Sequence, residues 1–592
     1  YEKDMKREQW IWRDWVIRSL NQDLPYDQFV IEQIAGELLP NATQDQLIAT
    51  GFLRNSMINE EGAVIPEQFR MVEMFDRIDC IGKAVLGLSI QCAQCHTHKY
   101  DPIKMDEYYG IFAFLNDTYE AQSWVYTDDQ QAKIKAVSDG VAAAEGRLRE
   151  QLPDWNVKLD AWVKELIAQQ VDWQPLAFHD LNSVSGLNHP VQESDSSVLM
   201  LGHSSTDVYM IASPDAKGVT GLRLEALPHG DLPLGGPGRN AVGGWAIREL
   251  EVLLKPTPSD DWQKVKLVNA TADFSEPEQK QDDGEKAVGP VAYLVDGSDD
   301  TQWKADRGLG RRNSPSVAVV QFEAPLDLPA GCEFKIVMRM SDMLGSCRFS
   351  LTTAPEPVAL PVDYAAVLAS QIPAESRDAE QRAVLVRGWR KGVAEAVAIN
   401  DEIEALWKQY PEALTTVLHL RERDPIKNRT TRRLKRGAWN EPLEAVEPHV
   451  PVAFHPMPES DEPARLKFAR WLADEKSPLT ARVAVNRVWQ NVFGVGLVET
   501  AEDFGTRSAT PEHRELLDWL SVDFMQHGWS QKHLLSVILS SSTYQQTSRV
   551  TPELVQRDPR NQLLARGPRF RADAEVVRDV ALTVSGLIHH RL

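Results

Sequence analysis

The chain has 592 residues, with 64 Lys and Arg against 86 Asp and Glu, a formal net charge of -22 and a pI near 5.2. That length calls for several cores, since one domain usually spans about 100–200 residues. So acidic a surface argues against nucleic acid as a partner, because phosphates demand faces rich in Lys and Arg, and no apolar run reaches the ~18 residues of a membrane-spanning helix.

Residues 1–125 read as mostly helical, broken at Pro25, Pro40 and Pro66. Within them, Cys92-Ala-Gln-Cys95-His96 is the pentapeptide a c-type haem requires. Two thiols form thioether bonds to the porphyrin vinyls, and the adjacent imidazole of His96 binds the iron. A zinc site on Cys92, Cys95 and a histidine is a competing reading, but a closed site wants a second Cys/His pair and only His98 stands nearby. A chance match is the third reading. His98 lies too close to His96 to reach the opposite face of the same ring, so it is assigned to the surroundings of the haem. The sixth iron ligand decides between carrier and enzyme. Met57, Met71 and Met74 are thioethers upstream in the same domain, and Met105 follows closely in a helix-like run.

From about 127 to 170, and again from about 374 to 410, the chain has helical periodicity with charged outer positions. Two such helices flanking everything between them predict a long antiparallel pair with a domain inserted at its tip. The insert, 173–356, alternates runs such as VTGLRLEAL, AIRELEVLL, SVAVVQF and EFKIVMRM with Gly, Pro, Asp and Asn clusters, the pattern of an antiparallel sandwich. Cys332 and Cys347 sit in adjacent strand-like runs and are candidates for a disulfide, with the Cα separation deciding; Cys80 is left over. The basic run Arg429 to Arg436 reads as a solvated linker. The remaining segment is helical again, and its Asp503-Phe504-Gly505 is no kinase signature, because no glycine-rich loop, paired lysine or HRD motif accompanies it.

The run LGLSIQCAQCHTHKYDPIKMDEYYGIFAFLND, preceded by LPYDQFVIEQIAGELLP and QLIATGFLRNSMINEEGAVIPEQF, resembles the cytochrome domain first described from planctomycete genomes. Downstream, LTARVAVNRVWQNVFGVGLVETAEDFG, HRELLDWL, SSSTYQQTS and RFRADAEVVRDVALTVSG resemble the C-terminal domain that usually accompanies it. The resemblance implies one covalent haem c on Cys92 and Cys95 with His96 on the iron. Where relatives usually read CARCHDHKFDPI, Gln94 and Thr97 replace an arginine and an aspartate, which alters local charge and leaves the ligands intact. Among the polar residues of the C-terminal blocks, Arg487 and His513 are the candidate catalytic pair, since a guanidinium holds an anion and an imidazole moves protons. Helix caps and salt bridges are the competing account of both. The stretches LPLGGPGRNAVGGWAIRELEV and YLVDGSDDTQWKA resemble a galactose-binding-like jelly roll, a fold that often binds sugar at its loops. Its Gly235–Gly244 turn and Asp296–Asp300 loop are candidates for sugar, for a structural calcium, or for corners alone.

The expected architecture is multidomain α+β. A haem domain over 1–125, incomplete at its start, precedes one arm of the helical pair (126–172), the β-sandwich (173–356), the returning arm (357–425) and a C-terminal helical domain (426–592). Covalent haem implies export to the periplasm or cell surface, with the signal upstream of Tyr1. The expected function is a haem-dependent oxidoreductase or redox unit linked to carbohydrate processing. Its partners would be a redox protein or upstream cytochrome domain, and a polysaccharide. A pure electron-transfer cytochrome, and a polysaccharide-binding scaffold with a structural haem, are the alternatives.

Overall fold

The computed structural model describes residues 8–56, 64–184, 186, 188–204, 207–257, 259–280 and 287–589. The chain is multidomain α+β, helical towards both ends with an antiparallel sheet-rich middle. It divides into two compact units. One holds Asp117–Arg429 with short earlier pieces; the other gathers Trp12–Ser56, Met71–Asn116 and Thr430–Leu592.

In the first unit the outgoing arm starts at a capping box. Thr127 accepts from the Gln130 N–H while the Gln130 side chain accepts from the Thr127 N–H, opening the helix Asp128–Gln151. The arm is not one helix, as expected, but two. Pro153 locks its own φ, disfavours helical backbone at Leu152, and forces a restart at Trp155–Ala168. The returning arm breaks likewise: Ala379–Lys391, capped by Asp378, ends at Gly392 and resumes as Val397–Trp407. Asp128–Gln151 lies against Val397–Trp407 and Trp155–Ala168 against Ala379–Lys391, so the arms run antiparallel. Ala144, Leu148 and Leu152 pack on Trp389, Ile399 and Ile403 between them.

The insert is a two-sheet sandwich. One sheet orders Leu267–Ala272, Ser316–Leu328, Ala216–Ala226, Ser346–Thr352, Val198–Gly202 and Asn188–Gln192. The other runs from Gln279–Lys280 through Ala287–Gly289, Thr301–Trp303, Ala246–Lys255, Glu333–Asp342 and Asp207–Ala212 to Phe178–Ser183. Glu333–Asp342 alternates strictly, sending Phe334, Ile336, Met338 and Met340 into a core that also holds Trp303 and Phe349. Cys332 and Cys347 are both free and buried in that core. They stand before and after the 10-residue strand Glu333–Asp342, about 30 Å of extended chain, where a disulfide tolerates about 7 Å between Cα atoms.

Thr118–Val125 pairs antiparallel with Thr415–Glu422, a ribbon that local patterning did not predict. The basic run is not bare. Arg429 meets the Asp231 carboxylate and donates to the Thr118 carbonyl in the first unit. In the second, Arg433 and Lys435 pair with Glu444 and Glu441 beside the short strands Arg432–Leu434 and Pro442–Ala445.

Candidate functional site

In the second unit, three sequence-distant segments share one core. Phe114 stacks on Phe468 with centroids 4.8 Å apart, Tyr26 packs near Phe524 and Trp529, and buried Arg465 pairs with Glu37 and donates to the Ile34 carbonyl. The helix Met105–Asn116 is almost wholly buried. Its Tyr109 hydroxyl donates to the Gln94 carbonyl at 3.0 Å, fixing the end of the turn Ile90–Gln94.

That turn is a 3₁₀ helix, with three residues per turn, so side chains three apart share a face. Ile90 and Ala93 are buried. Cys92 and Cys95, equally spaced, are exposed and unpaired. Gly437 closes on Cys95: at φ +73°, a Cβ there would lie 2.9 Å from Sγ.

His96 is exposed beside them. Its Nδ1 lies 2.7 Å from the Thr97 carbonyl, and because a carbonyl only accepts, Nδ1 carries the proton and Nε2 keeps its lone pair. His98 has the opposite tautomer and a different job. Its buried Nδ1 accepts the Asp101 N–H at 2.8 Å, and its backbone N–H donates to the Ile103 carbonyl at 2.9 Å. It braces the turn after the motif. Asp101 in turn accepts the Thr506 N–H at 2.7 Å, and Phe504 donates its N–H to the Gly87 carbonyl at 2.6 Å. The C-terminal segment thus holds both flanks of the pentapeptide.

The donor set fits haem c better than zinc. Haem uses the thiols on the porphyrin rim and only the imidazole on the metal, whereas zinc needs them all within bonding distance of one ion. Among the described residues, the one trio of His, Cys, Asp or Glu side chains that converges so closely is Asp523, His527 and His533. Of the thioethers, Met57 lies outside the described residues. Met71 and Met74 are buried, with Arg77 Nη1 3.6 Å from the Met74 sulfur, and Met105 opens its helix.

Arg487 donates through Nη2 to the Lys83 carbonyl at 2.9 Å. His513 sits at the N-cap of Arg514–Gln526, donating Nε2–H to the Gln562 carbonyl at 2.9 Å. His513 lines a cleft of about 660 Å³ with Trp489, Phe493, Glu499 and Arg560; Arg487 is not among its walls. Cys80 is held as a thiol, since burial and then Asp76 and Asp79 push it up to about 11.

In the sandwich, Asp296 accepts from the Ser298 N–H and the Thr301 hydroxyl, and Asp299 faces Arg339 at 3.5 Å. Asn240 spans the Gly235–Gly244 turn, accepting from Val242 and Gly244. Both loops are built by their own side chains. Beside them a recess of about 210 Å³ is lined by Arg248, Asp299, Gln302, Lys304, Ser341 and Asp342.

Residues 1–120 match the family model PSCyt2, described as a protein of unknown function (DUF1549), and residues 464–592 match PSD1, described as a protein of unknown function (DUF1553). The pairing is the planctomycete type. No curated protein matches the chain. No helix among the described residues is long and apolar enough to cross a membrane.

Proposed function

We propose that this chain, with its PSCyt2 and PSD1 segments, is an exported c-type haem protein acting as a redox unit in carbohydrate processing. The two-faced turn carries the reading: Ile90 and Ala93 anchor it while Cys92 and Cys95 stand exposed and unpaired, three residues apart. Cys92 and Cys95 would hold the porphyrin and His96 its iron; when bound, the haem supplies one-electron transfer. The Thr97 carbonyl orients the His96 ring, Tyr109 and Gly437 fix the Cys95 end, and His98 with Asp101 keeps the following turn rigid. Because Arg487 and His513 serve different carbonyls and do not share the cleft, the geometry favours a redox unit over an enzyme built on that pair. Export follows from the attachment chemistry, which needs handling of thiols outside the reducing cytoplasm.

The carbohydrate part rests on the polar recess of the sandwich, whose donors and acceptors suit sugar hydroxyls. Affinity electrophoresis through polysaccharide-containing gels should retard the protein, with Lys304→Ala relieving it; unretarded migration in neutral and sulfated glycans alike removes that part alone. For the haem, a pyridine haemochrome of protein matured with haem-attachment machinery should give the c-type band positions. A haem-free or b-type spectrum contradicts the proposal.

A further inference from the structure

Three side chains that the haem reading does not use meet where the helices Arg514–Gln526 and Gln531–Ser540 join. Asp523 and His527 are four residues apart, hence on one helix face. The chain then reverses through Gly528 and Trp529, both at positive φ, with Trp529 buried against Phe524. Ser530 caps the next helix by accepting the His533 N–H, which sets His533 in its first turn. The two imidazoles stack, centroids 3.9 Å apart and 16° from parallel. Both face one carboxylate: His533 Nε2 lies 2.8 Å from Asp523 Oδ2, and His527 Nδ1 lies 3.2 Å from Oδ1. Donor atoms of all three lie within 4.8 Å of one another.

From this geometry we propose a binding site for a divalent first-row cation of the zinc class at Asp523, His527 and His533, independent of the haem reading. Two imidazoles and a carboxylate form a donor set suited to Zn²⁺, Ni²⁺ or Cu²⁺ rather than Mg²⁺ or Ca²⁺. Zinc bonds of about 2.0–2.1 Å place tetrahedral neighbours roughly 3.3 Å apart, so the 2.8 and 3.2 Å contacts, each to a different oxygen of Asp523, need only small adjustment, while the stacked rings must turn for both nitrogens to face one ion. A side-chain exposure of 51% at His527 leaves room for water as a further ligand. The carbonyl end of Arg514–Gln526, where His527 is the C-cap, also favours a cation. The neighbouring ammonium does not compete, because Lys532 Nζ is held by the Asn21 carbonyl at 2.6 Å. Binding costs one hydrogen bond if His527 ligates through Nδ1, which also lies 2.8 Å from the Asp523 carbonyl.

The alternative is a hydrogen-bonded triad with no ion, and metal titration separates the two. Chelator-treated full-length chain, titrated with Zn²⁺ alone in a calorimeter, should bind one equivalent that survives in Cys92→Ser/Cys95→Ser. His527→Gln and His533→Gln should each weaken it at least about tenfold, since even an outer-sphere partner of a metal is worth 10–100-fold. Co²⁺ alone should give the wild type visible ligand-field bands without a thiolate charge-transfer band, a readout that holds even if a histidine variant misfolds. No bound equivalent, unchanged affinity in both histidine variants, or loss confined to the cysteine variant overturns the site.

Discussion

Two pairs of cysteines divide the molecule chemically. Cys92 and Cys95 stand exposed on a short turn, whereas Cys332 and Cys347 are wholly buried among the aromatic and aliphatic side chains of the sandwich. Burial pushes both sandwich thiols up, with Glu225 adding to the effect at Cys347 and Asp215 at Cys332. They act as small apolar spacers; the turn pair is presented for reaction. Environment, not residue type, assigns the role.

The sharpest way to break that contrast is alkylation of reduced, haem-free protein followed by peptide mapping. Cys92 and Cys95 should react at once. Cys332 and Cys347 should be slower by about 10³-fold or more, because access waits for opening of a core whose stability is several kcal/mol. Cys80, held at about 11, should fall between. Comparable rates for all five would remove the distinction.

A second measurement targets the core that shelters the buried pair. Phe334 is fully buried there, and Phe334→Ala should cost about 3–5 kcal/mol in denaturant unfolding. The alkylation rates of Cys92 and Cys95 should not change.

What is legible in the sequence follows how local each feature is. The CxxCH pentapeptide is five consecutive residues, and Glu333–Asp342 announces itself by strict alternation. The arms are legible by periodicity, and Pro153 marks the break in the outgoing arm; reading each arm as one helix passes over that proline and over Gly392, whose break periodicity alone does not show. The ribbon of Thr118–Val125 with Thr415–Glu422 is invisible, since partners such as Ser123 and His419 lie 296 positions apart. The roles of His96 and His98 look alike in sequence and separate only through the carbonyl and the N–H each one meets. Asp523 and His527 carry a readable spacing of four, but adding His533 requires the turn at Gly528.

A third prediction exploits the other buried chemistry of the sandwich unit, a charge cluster. Burial alone would raise Glu193, but hydrogen bonds and charge from His229 and Lys427 outweigh it and hold the carboxyl down to about 2. A carboxyl depressed on folding stabilises above its unfolded pKa of 4.5 and loses that contribution as pH falls through about 2. Unfolding followed from pH 6 to 2 should therefore show declining stability below about 4.5, and Glu193→Gln should flatten part of that slope. At pH 7 the same variant should cost about 1–3 kcal/mol, because it leaves Arg423 and Lys427 short of a charged acceptor. A slope identical to wild type would show that Glu193 is not depressed.

The smallest expected effect lies beside the exposed pair. Gly437→Ala forces a side chain into left-handed backbone and towards Cys95 Sγ, at a cost of about 1–2 kcal/mol. It should slow alkylation of Cys95 more than that of Cys92. Equal rates would mean that the loop yields freely.

The central claim is that Cys92 and Cys95 are the anchor of a covalent haem. Intact-mass and peptide mass spectrometry of protein matured in a host with haem-attachment machinery tests it most directly. The account predicts the added mass of one haem, mapped to the peptide carrying Cys92, Cys95 and His96 and abolished in Cys92→Ala/Cys95→Ala. An unmodified wild-type mass, with both thiols free, would contradict it.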